Sequence, residues 1–200
     1  MPYSIAEYIP QTTTTRRPLA VWLISLAVAL LIVGMIVGAP LAAATNHPGL
    51  ARGIYGPFGA FCHQLPERSF FIAGHKFAVC ARCSGLYGGF ALLLLLYPLI
   101  RPLRSTELPV PKWLFLAAAP MAVDFSLTFF GIWENTHSSR LFTGVLLGGV
   151  TVFYVMPGLV EMSLRVQKTP QKSHLSAFTL TSAEAIAAAP SDYSAPERRI

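Results

Sequence analysis

Charged side chains are scarce in this 200-residue chain, since Asp, Glu, Lys and Arg together make up 12% of it. Soluble domains contain about 25%. So little charge beside 54% hydrophobic residues excludes a water-soluble enzyme and a disordered chain. Cysteine is also scarce, with three residues in all, which excludes a secreted scaffold built on many disulfides. The composition instead predicts an integral membrane protein.

Long apolar stretches supply the first positive evidence. A helix needs about 20 mostly apolar residues to cross the hydrocarbon core of a bilayer. Four such stretches lie at about residues 19–42, 83–100, 113–133 and 141–160. We therefore predict an all-α integral membrane protein whose residues 19–164 form a four-helix transmembrane domain within the lipid bilayer. Residues 1–18 would be an N-terminal tail, and residues 165–200, which show no sustained periodicity, a disordered C-terminal tail.

The distribution of basic residues predicts the orientation of these helices. The net charge is +6, but the basic residues do not gather with aromatic ones, so we predict no nucleic-acid partner. Ten of the 15 Lys and Arg residues would lie on the side of the two tails, and five on the other side. By the positive-inside rule, both termini are cytoplasmic and the loop at residues 53–83 faces outward.

Three of the predicted helices contain two glycines spaced four residues apart. Such pairs allow helix backbones to approach closely. They predict a compact bundle, and they also offer faces for a homo-oligomer or for a larger membrane complex. The pairs are Gly34 and Gly38, Gly85 and Gly89, and Gly144 and Gly148.

The loop at residues 53–83 contains all three cysteines and more reactive side chains than any other segment. Cys80 and Cys83 form a C-x-x-C motif at the start of the second span, where the free N–H groups of the helix and the neighbouring Arg82 favour thiolates. Between the cysteines, Pro66 as a first residue and Gly74 as a stop signal predict a short helix at residues 66–73.

The spacing of the cysteines indicates a metal site. Cys62 lies upstream of Cys80 at a distance close to that of zinc sites made from two C-x-x-C knuckles. Here the first half is the adjacent pair Cys62 and His63, and adjacent residues of an extended segment point in opposite directions. His75 is therefore an alternative fourth ligand. We predict a transition-metal site, with zinc as the expected metal, formed by Cys62, Cys80, Cys83 and a histidine.

Three other interpretations of the cysteines stay open. A disulfide with one spare thiol would be ordinary for an exterior loop. A membrane thiol–disulfide oxidoreductase would use Cys80 and Cys83, although the second exterior loop lacks the second cysteine pair of the quinone-dependent enzymes that this arrangement resembles. The cysteines could also simply pack. A non-catalytic subunit of a larger membrane complex is a further hypothesis, and we expect a structural or sensing role rather than catalysis.

Asp124 lies inside the third predicted span. An unpaired carboxylate there costs at least about 2.5 kcal/mol, so this residue needs a partner or a proton, and a role in handling protons or cations is an alternative to a structural pair. Arg140 at the start of the fourth span is the nearest cation in sequence, with His137 and Arg82 as alternatives. We predict a buried polar pair of Asp124 and Arg140.

Arg68, Ser69 and Arg82 lie near the cysteines in sequence. Guanidinium and hydroxyl groups suit phosphate and carboxylate oxygens. These three residues therefore predict contact with an anion or a lipid headgroup, the alternative being arginines that only extend to the membrane interface.

Several motifs in order resemble a family of small prokaryotic multi-pass membrane proteins that share a domain of unknown function. They are C-H-Q at 62–64, P-E-R-S-F at 66–70, C-A-R-C-S-G-L-Y-G-G at 80–89, P-x-x-x-D at 120–124 and R-L-F-T-G at 140–144. The resemblance covers about residues 53–149 and implies a prokaryotic cytoplasmic (inner) membrane, but no established activity. It favours His63 over His75 as ligand. It also implies one constellation of Cys62, His63, Arg68, Ser69, Cys80, Arg82, Cys83, Gly85, Tyr87, Asp124 and Arg140.

Overall fold

The computed structural model describes residues 16–165, which form five α-helices, a short 3-10 helix and one β-hairpin. Residues 1–15 of the predicted N-terminal tail and residues 166–200 of the predicted C-terminal tail lie outside the described residues. In chain order the elements are α1 (Arg17–Ala44), α2 (Pro48–Gly59), the 3-10 helix (Pro66–Arg68), β1 (Phe71–Ile72), β2 (His75–Lys76), α3 (Ala81–Ile100), α4 (Lys112–Phe129) and α5 (His137–Arg165).

Four of the described helices, α1, α3, α4 and α5, are long and apolar enough to cross a membrane. This confirms the predicted fold class of an all-α protein with four transmembrane helices. The remaining helix, α2, has 12 residues and is too short to span a bilayer. It lies partly in the segment at residues 53–83 that was predicted to be a loop.

Helices α3 and α5 pack backbone against backbone through their glycines. A Cβ atom on Gly89 would overlap the backbone of Val145, and Cβ atoms on Gly85, Gly144 or Gly148 would meet the opposite helix in the same way. Larger side chains at these positions would force the helices apart. These two glycine pairs therefore hold the bundle together and are covered within the chain.

The glycine pair of α1 has a different environment. Neither Gly34 nor Gly38 would bring a Cβ atom within 4 Å of another described group. Of the three glycine faces considered for a homo-oligomer or a partner subunit, the face of α1 is thus the one that is open in the described part of the chain.

A proline inside α1 provides the attachment point for the cysteine-bearing segment. Pro40 has no backbone N–H, so the carbonyl of Ile36, four residues earlier, has no donor within the helix. That carbonyl accepts a hydrogen bond from the N–H of Ala78 at 3.3 Å. The segment that leads into the C-x-x-C motif is thereby attached to α1.

The same arrangement recurs in α3. Pro98 leaves the carbonyl of Leu94 without a donor in its own helix. The indole Nε1 of Trp22 in α1 donates to this carbonyl at 2.8 Å. Pro40 and Pro98 thus each free a carbonyl of their own helix to accept a hydrogen bond from another element.

The segment between the cysteines is a hairpin, and the predicted helix at residues 66–73 is wrong. Ala73 and Gly74 have φ values of 48° and 78°, which are typical of a two-residue hairpin turn and incompatible with a right-handed helix. The strands pair antiparallel, with Phe71 opposite Lys76. Only Pro66–Arg68 forms a single 3-10 turn.

Three side chains connect α2, the hairpin and the segment between them. The Tyr55 hydroxyl donates to the carbonyl of Lys76, and the Lys76 ammonium donates to the carbonyl of Gln64 at 2.6 Å. The Gln64 amide donates back to the carbonyl of Tyr55 at 2.8 Å. Burial raises the pKa of Tyr55, so its hydroxyl keeps its proton and its role as donor.

Candidate metal centre

The sulfur atoms of Cys62, Cys80 and Cys83 all lie within 4.8 Å of one another. Three local structures place them there. Cys62 follows the end of α2, where its N–H donates to the carbonyl of Phe58 at 2.9 Å. Cys80 is the residue that precedes α3, and Cys83 lies in the first turn of that helix. All three are free thiols, so the structure contains no disulfide among them.

The spacing of the sulfurs suits a thiophilic metal. With a Zn–S distance of about 2.3 Å, tetrahedral coordination places sulfurs roughly 3.8 Å apart, which is compatible with three sulfurs that all lie within 4.8 Å of one another. Cys62 is 7% exposed and belongs to a buried apolar cluster with Ile36, Ala39 and Phe58. Cys80 and Cys83 are half-buried. The cluster therefore has an apolar floor and an accessible side.

Hydrogen bonds within the cluster favour a thiolate. The thiol of Cys83 donates to the sulfur of Cys80 and lowers the pKa of Cys80 to about 5, against the opposing effect of burial. The N–H of Cys80 in turn donates to the sulfur of Cys62 at 3.2 Å. Because thiolates are the form that binds metals and attacks disulfides, both chemistries are open to this arrangement.

Neither histidine of the predicted ligand set belongs to the sulfur cluster in the described residues. His63 is exposed and lines the cavity onto which the three cysteines open. His75 is exposed as well, but it lies on β2 and does not line that cavity. The structure thus brings three of the predicted ligands together, and of the two predicted histidines it places His63 beside the cavity that the three cysteines line.

The direct cationic partner of Asp124 is Arg82, which the sequence offered as an alternative to Arg140. The Arg82 Nη2 and Asp124 Oδ2 atoms are 2.8 Å apart. Arg140 joins this pair through Asn135: its Nε donates to Asn135 Oδ1 at 2.6 Å, and Asn135 Nδ2 donates to Asp124 Oδ2 at 2.7 Å. His137, the other alternative, packs against Phe70 with ring centroids 5.7 Å apart.

Asn135 is the member of this network that sequence reasoning missed. It is uncharged and lies in the short connection between α4 and α5, where asparagine is an ordinary turn residue. An amide can accept from one group while it donates to another, so Asn135 bridges a cation and an anion. The signal available in the sequence was its position a few residues before Arg140.

Of the three residues predicted to contact an anion, two line the cavity and one is buried elsewhere. Arg68 and Arg82 line the cavity beside the cysteines. Ser69 does not: it is 1% exposed, and its hydroxyl donates to the carbonyl of Leu65 at 2.8 Å. Tyr87 packs edge-on against Phe58, with ring centroids 6.4 Å apart, on the apolar side of the cluster.

Comparison with known proteins covers this region of the chain. The family model described as "Predicted membrane protein (DUF2085)" matches residues 62–154. An uncharacterised protein of Methanocaldococcus jannaschii is 42% identical over 109 residues, which are 54% of this chain and 70% of that relative. An uncharacterised protein of Methanothermobacter thermautotrophicus is 36% identical over 91 residues, 46% of this chain and 80% of the relative. No solved structure is significantly similar.

The matched region begins at Cys62 and contains the other two cysteines, Asp124, Asn135 and Arg140. The similarity therefore includes both the sulfur cluster and the polar network below it. This agrees with the resemblance recognised from the motifs. The chain belongs to the DUF2085 family of predicted membrane proteins.

Proposed function

We propose that this membrane protein binds a thiophilic transition metal, zinc in the first place, through Cys62, Cys80 and Cys83. The observation that supports the proposal is the convergence of three free thiols, from residues up to 21 positions apart, to within 4.8 Å. Borderline-soft and soft metal ions prefer thiolate ligands. One sulfur with a pKa of about 5 would already be a thiolate at neutral pH.

His63 is our proposed fourth ligand. It directly follows Cys62 and lines the cavity beside the cluster. A rotation of its side chain, with a small shift of the backbone next to Cys62, would bring its ring to the accessible side of the three sulfurs. His75 would have to leave β2, where it pairs with Ile72. Proximity and the hairpin register thus both favour His63.

We infer a structural role for the metal. The cluster joins the segment after α2 to the start of α3, and Cys62 packs on the same apolar residues that anchor α1. A four-coordinate metal with protein ligands throughout is typical of structural zinc sites. Metal binding would therefore fix the hairpin segment over the helix bundle and contribute directly to stability.

Elemental analysis of the protein purified in mild detergent without chelator tests this function. We expect about one equivalent of zinc per chain, absent from a variant with Cys62, Cys80 and Cys83 replaced by serine. A protein that folds and contains no metal, even after incubation with zinc, would refute the proposal. His63→Ala should weaken zinc binding, whereas His75→Ala, a matched change of an exposed histidine nearby, should not.

A membrane thiol–disulfide oxidoreductase is the second candidate. The lowered pKa of Cys80 beside Cys83 is the observation that favours it, because a C-x-x-C thiolate is the attacking group in disulfide exchange. Such an enzyme would oxidise these two thiols to a disulfide while an acceptor takes up two electrons. Thiol counting before and after oxidation of the metal-free protein would show a reversible loss of two thiols if this function holds.

We also propose that both termini are cytoplasmic and that the cysteine cluster lies on the outer side of a prokaryotic cytoplasmic membrane. Labelling of intact cells with a membrane-impermeant maleimide tests this in the background without native cysteines. Glu134→Cys, between α4 and α5, should be labelled, and Thr106→Cys, between α3 and α4, should be protected. The reverse pattern would invert the topology.

A further inference from the structure

A cavity of about 460 Å³ adjoins the cysteine cluster, within the range of about 300–1,000 Å³ that is usual for small-ligand pockets. Three guanidinium groups line it, those of Arg68, Arg82 and Arg140. They come from the 3-10 helix, α3 and α5, so the fold brings together cations that are far apart in sequence. Arg68 and Arg82 both lie close enough to Arg140 for electrostatic repulsion.

Carboxylates compensate these cations incompletely. Asp124 pairs with Arg82, while the buried Nε of Arg82 has no hydrogen-bond partner among residues 16–165. Arg140 donates its Nε to the neutral amide of Asn135. Arg68 is 3.9 Å from Glu67, with both side chains at least half exposed, a contact that water weakens strongly. The partly buried carboxylate of Asp124 therefore contacts one of the three guanidinium groups directly, that of Arg82, and reaches Arg140 only through the Asn135 amide.

A metal bound to the cysteines would reduce the excess positive charge of the cavity without removing it. Three thiolates around a divalent metal carry one net negative charge, which would offset a second guanidinium group. This step rests on the proposed function. One positive charge then remains in the cavity, and an anion that enters would compensate it and relieve the repulsion among the arginines.

Apolar side chains surround the mouth of the cavity. Phe61 and Phe129 line it and are 83% and 73% exposed, and Leu65 and Phe125 lie beside them. Phe129 ends α4, a helix that is long enough to cross a membrane. The cavity thus combines three guanidinium groups with exposed apolar side chains in its lining.

We propose that this cavity binds a phosphate group through Arg68 and Arg140. Guanidinium groups match phosphate oxygens with paired hydrogen bonds. A phospholipid phosphodiester carries the single negative charge that the cavity leaves uncompensated, and its acyl chains would lie along the phenylalanines. Free inorganic phosphate has the same binding chemistry with more charge and no apolar part.

The test measures binding of phosphatidylglycerol by native mass spectrometry of the metal-loaded protein in a nonionic detergent. Arg68→Gln and Arg140→Gln are compared with Arg52→Gln, which removes an exposed arginine of α2 outside the cavity. We expect about tenfold weaker binding or more for the two cavity variants, as for the loss of a charged hydrogen bond, and unchanged binding for Arg52→Gln.

Inorganic phosphate added as a competitor distinguishes the two sources. Displacement of the lipid at millimolar phosphate identifies free phosphate as the ligand, and failure to displace it identifies the headgroup. Equal lipid binding by wild type and all variants, or equal weakening by Arg52→Gln, overturns the phosphate site. Arg68 lies on an exposed segment, so its variant keeps the test decisive if Arg140→Gln does not fold.

Metal content measured on the same samples separates this inference from the proposed function. Loss of lipid binding with unchanged metal in the cavity variants supports the phosphate site. A wild-type protein without metal that still shows arginine-dependent lipid binding would refute the proposed function alone. If Arg68→Gln lost both lipid binding and metal, the phosphate site would be overturned, because the arginine would then stabilise the metal cluster instead.

Discussion

The guanidinium of Arg82 and the carboxylate of Asp124 are 2.8 Å apart and connect the first turn of α3 to α4. Helix α4 buries a single side chain, Ala117, within the described structure. Apolar packing therefore contributes little to its position. The ion pair, together with the two hydrogen bonds from Asn135 to Asp124, holds this helix beside the cysteine cluster.

Removal of this carboxylate should destabilise the protein strongly. Asp124→Ala would leave Arg82 partly buried without its anion, a change that costs about 3–5 kcal/mol for buried pairs. We expect a lower Tm in detergent by circular dichroism. Glu134→Ala, which removes an exposed acid near the same end of α4, is the control and should leave the Tm unchanged. Equal Tm values for the two variants would show that the pair does not stabilise the fold.

The glycine contacts between α3 and α5 give a second stability prediction. In Gly89→Ala the added methyl group would overlap the backbone of Val145, and such overpacking costs about 1–3 kcal/mol. Gly34→Ala is matched in chemistry but places its methyl group where nothing lies within 4 Å. Thermal unfolding should therefore show a lower Tm for Gly89→Ala than for Gly34→Ala. The opposite order would mean that the two helices do not meet at these glycines.

How far the sequence predicts this structure depends on which contacts are local. Long apolar stretches predict four membrane helices, since the bilayer requires backbone hydrogen bonds to be satisfied within each segment. Helix α2 was not foreseen because Gly49, Gly53, Gly56 and Gly59 give it a low helix propensity. Its contacts with α1 are tertiary, and a single sequence does not display them.

In the candidate site, too, the features set by local geometry are predictable from the sequence and those set by tertiary contacts are not. The cysteine spacing predicts a three-sulfur cluster, because a C-x-x-C motif at a helix start sets two positions by local geometry. The partner of Asp124 depends on how helices rotate against each other, and nearness in sequence favoured Arg140 over Arg82. The hairpin turn places Ala73 at a φ of 48°, which alanine seldom adopts without support from surrounding structure.

The proline of α1 should control the attachment of the cysteine-bearing segment. Pro40→Ala restores a backbone N–H that competes with Ala78 for the carbonyl of Ile36. We expect faster hydrogen exchange at Ala78 by about fivefold or more, the effect of losing one hydrogen bond. Pro120→Ala in α4 is the control, because its freed carbonyl at Leu116 has no partner in another described element. Unchanged exchange at Ala78 would contradict this attachment.

The hydrogen bonds around Cys80 predict how its reactivity depends on pH. Because the Cys83 thiol lowers the pKa of Cys80 to about 5, the reactive thiolate should persist in the metal-free protein as the pH falls from 9 to about 6. Below pH 5 the alkylation rate should fall about tenfold per unit. The folded state thus favours the Cys80 thiolate, and the stability that this thiolate contributes is lost as the pH falls from the ordinary pKa of 9.0 through about 5.

Peptide mapping after iodoacetamide treatment at a series of pH values measures this profile at Cys80 alone. Cys83→Ala removes the main donor, so the midpoint should move upward toward 9.0. Ser84→Ala changes the next residue, whose buried hydroxyl has no hydrogen-bond partner among the described residues, and it should leave the midpoint near 5. A midpoint near 9 in the unmodified protein would show that the cluster does not activate Cys80, which would remove the observation that favours the oxidoreductase and one of the two observations that support metal binding.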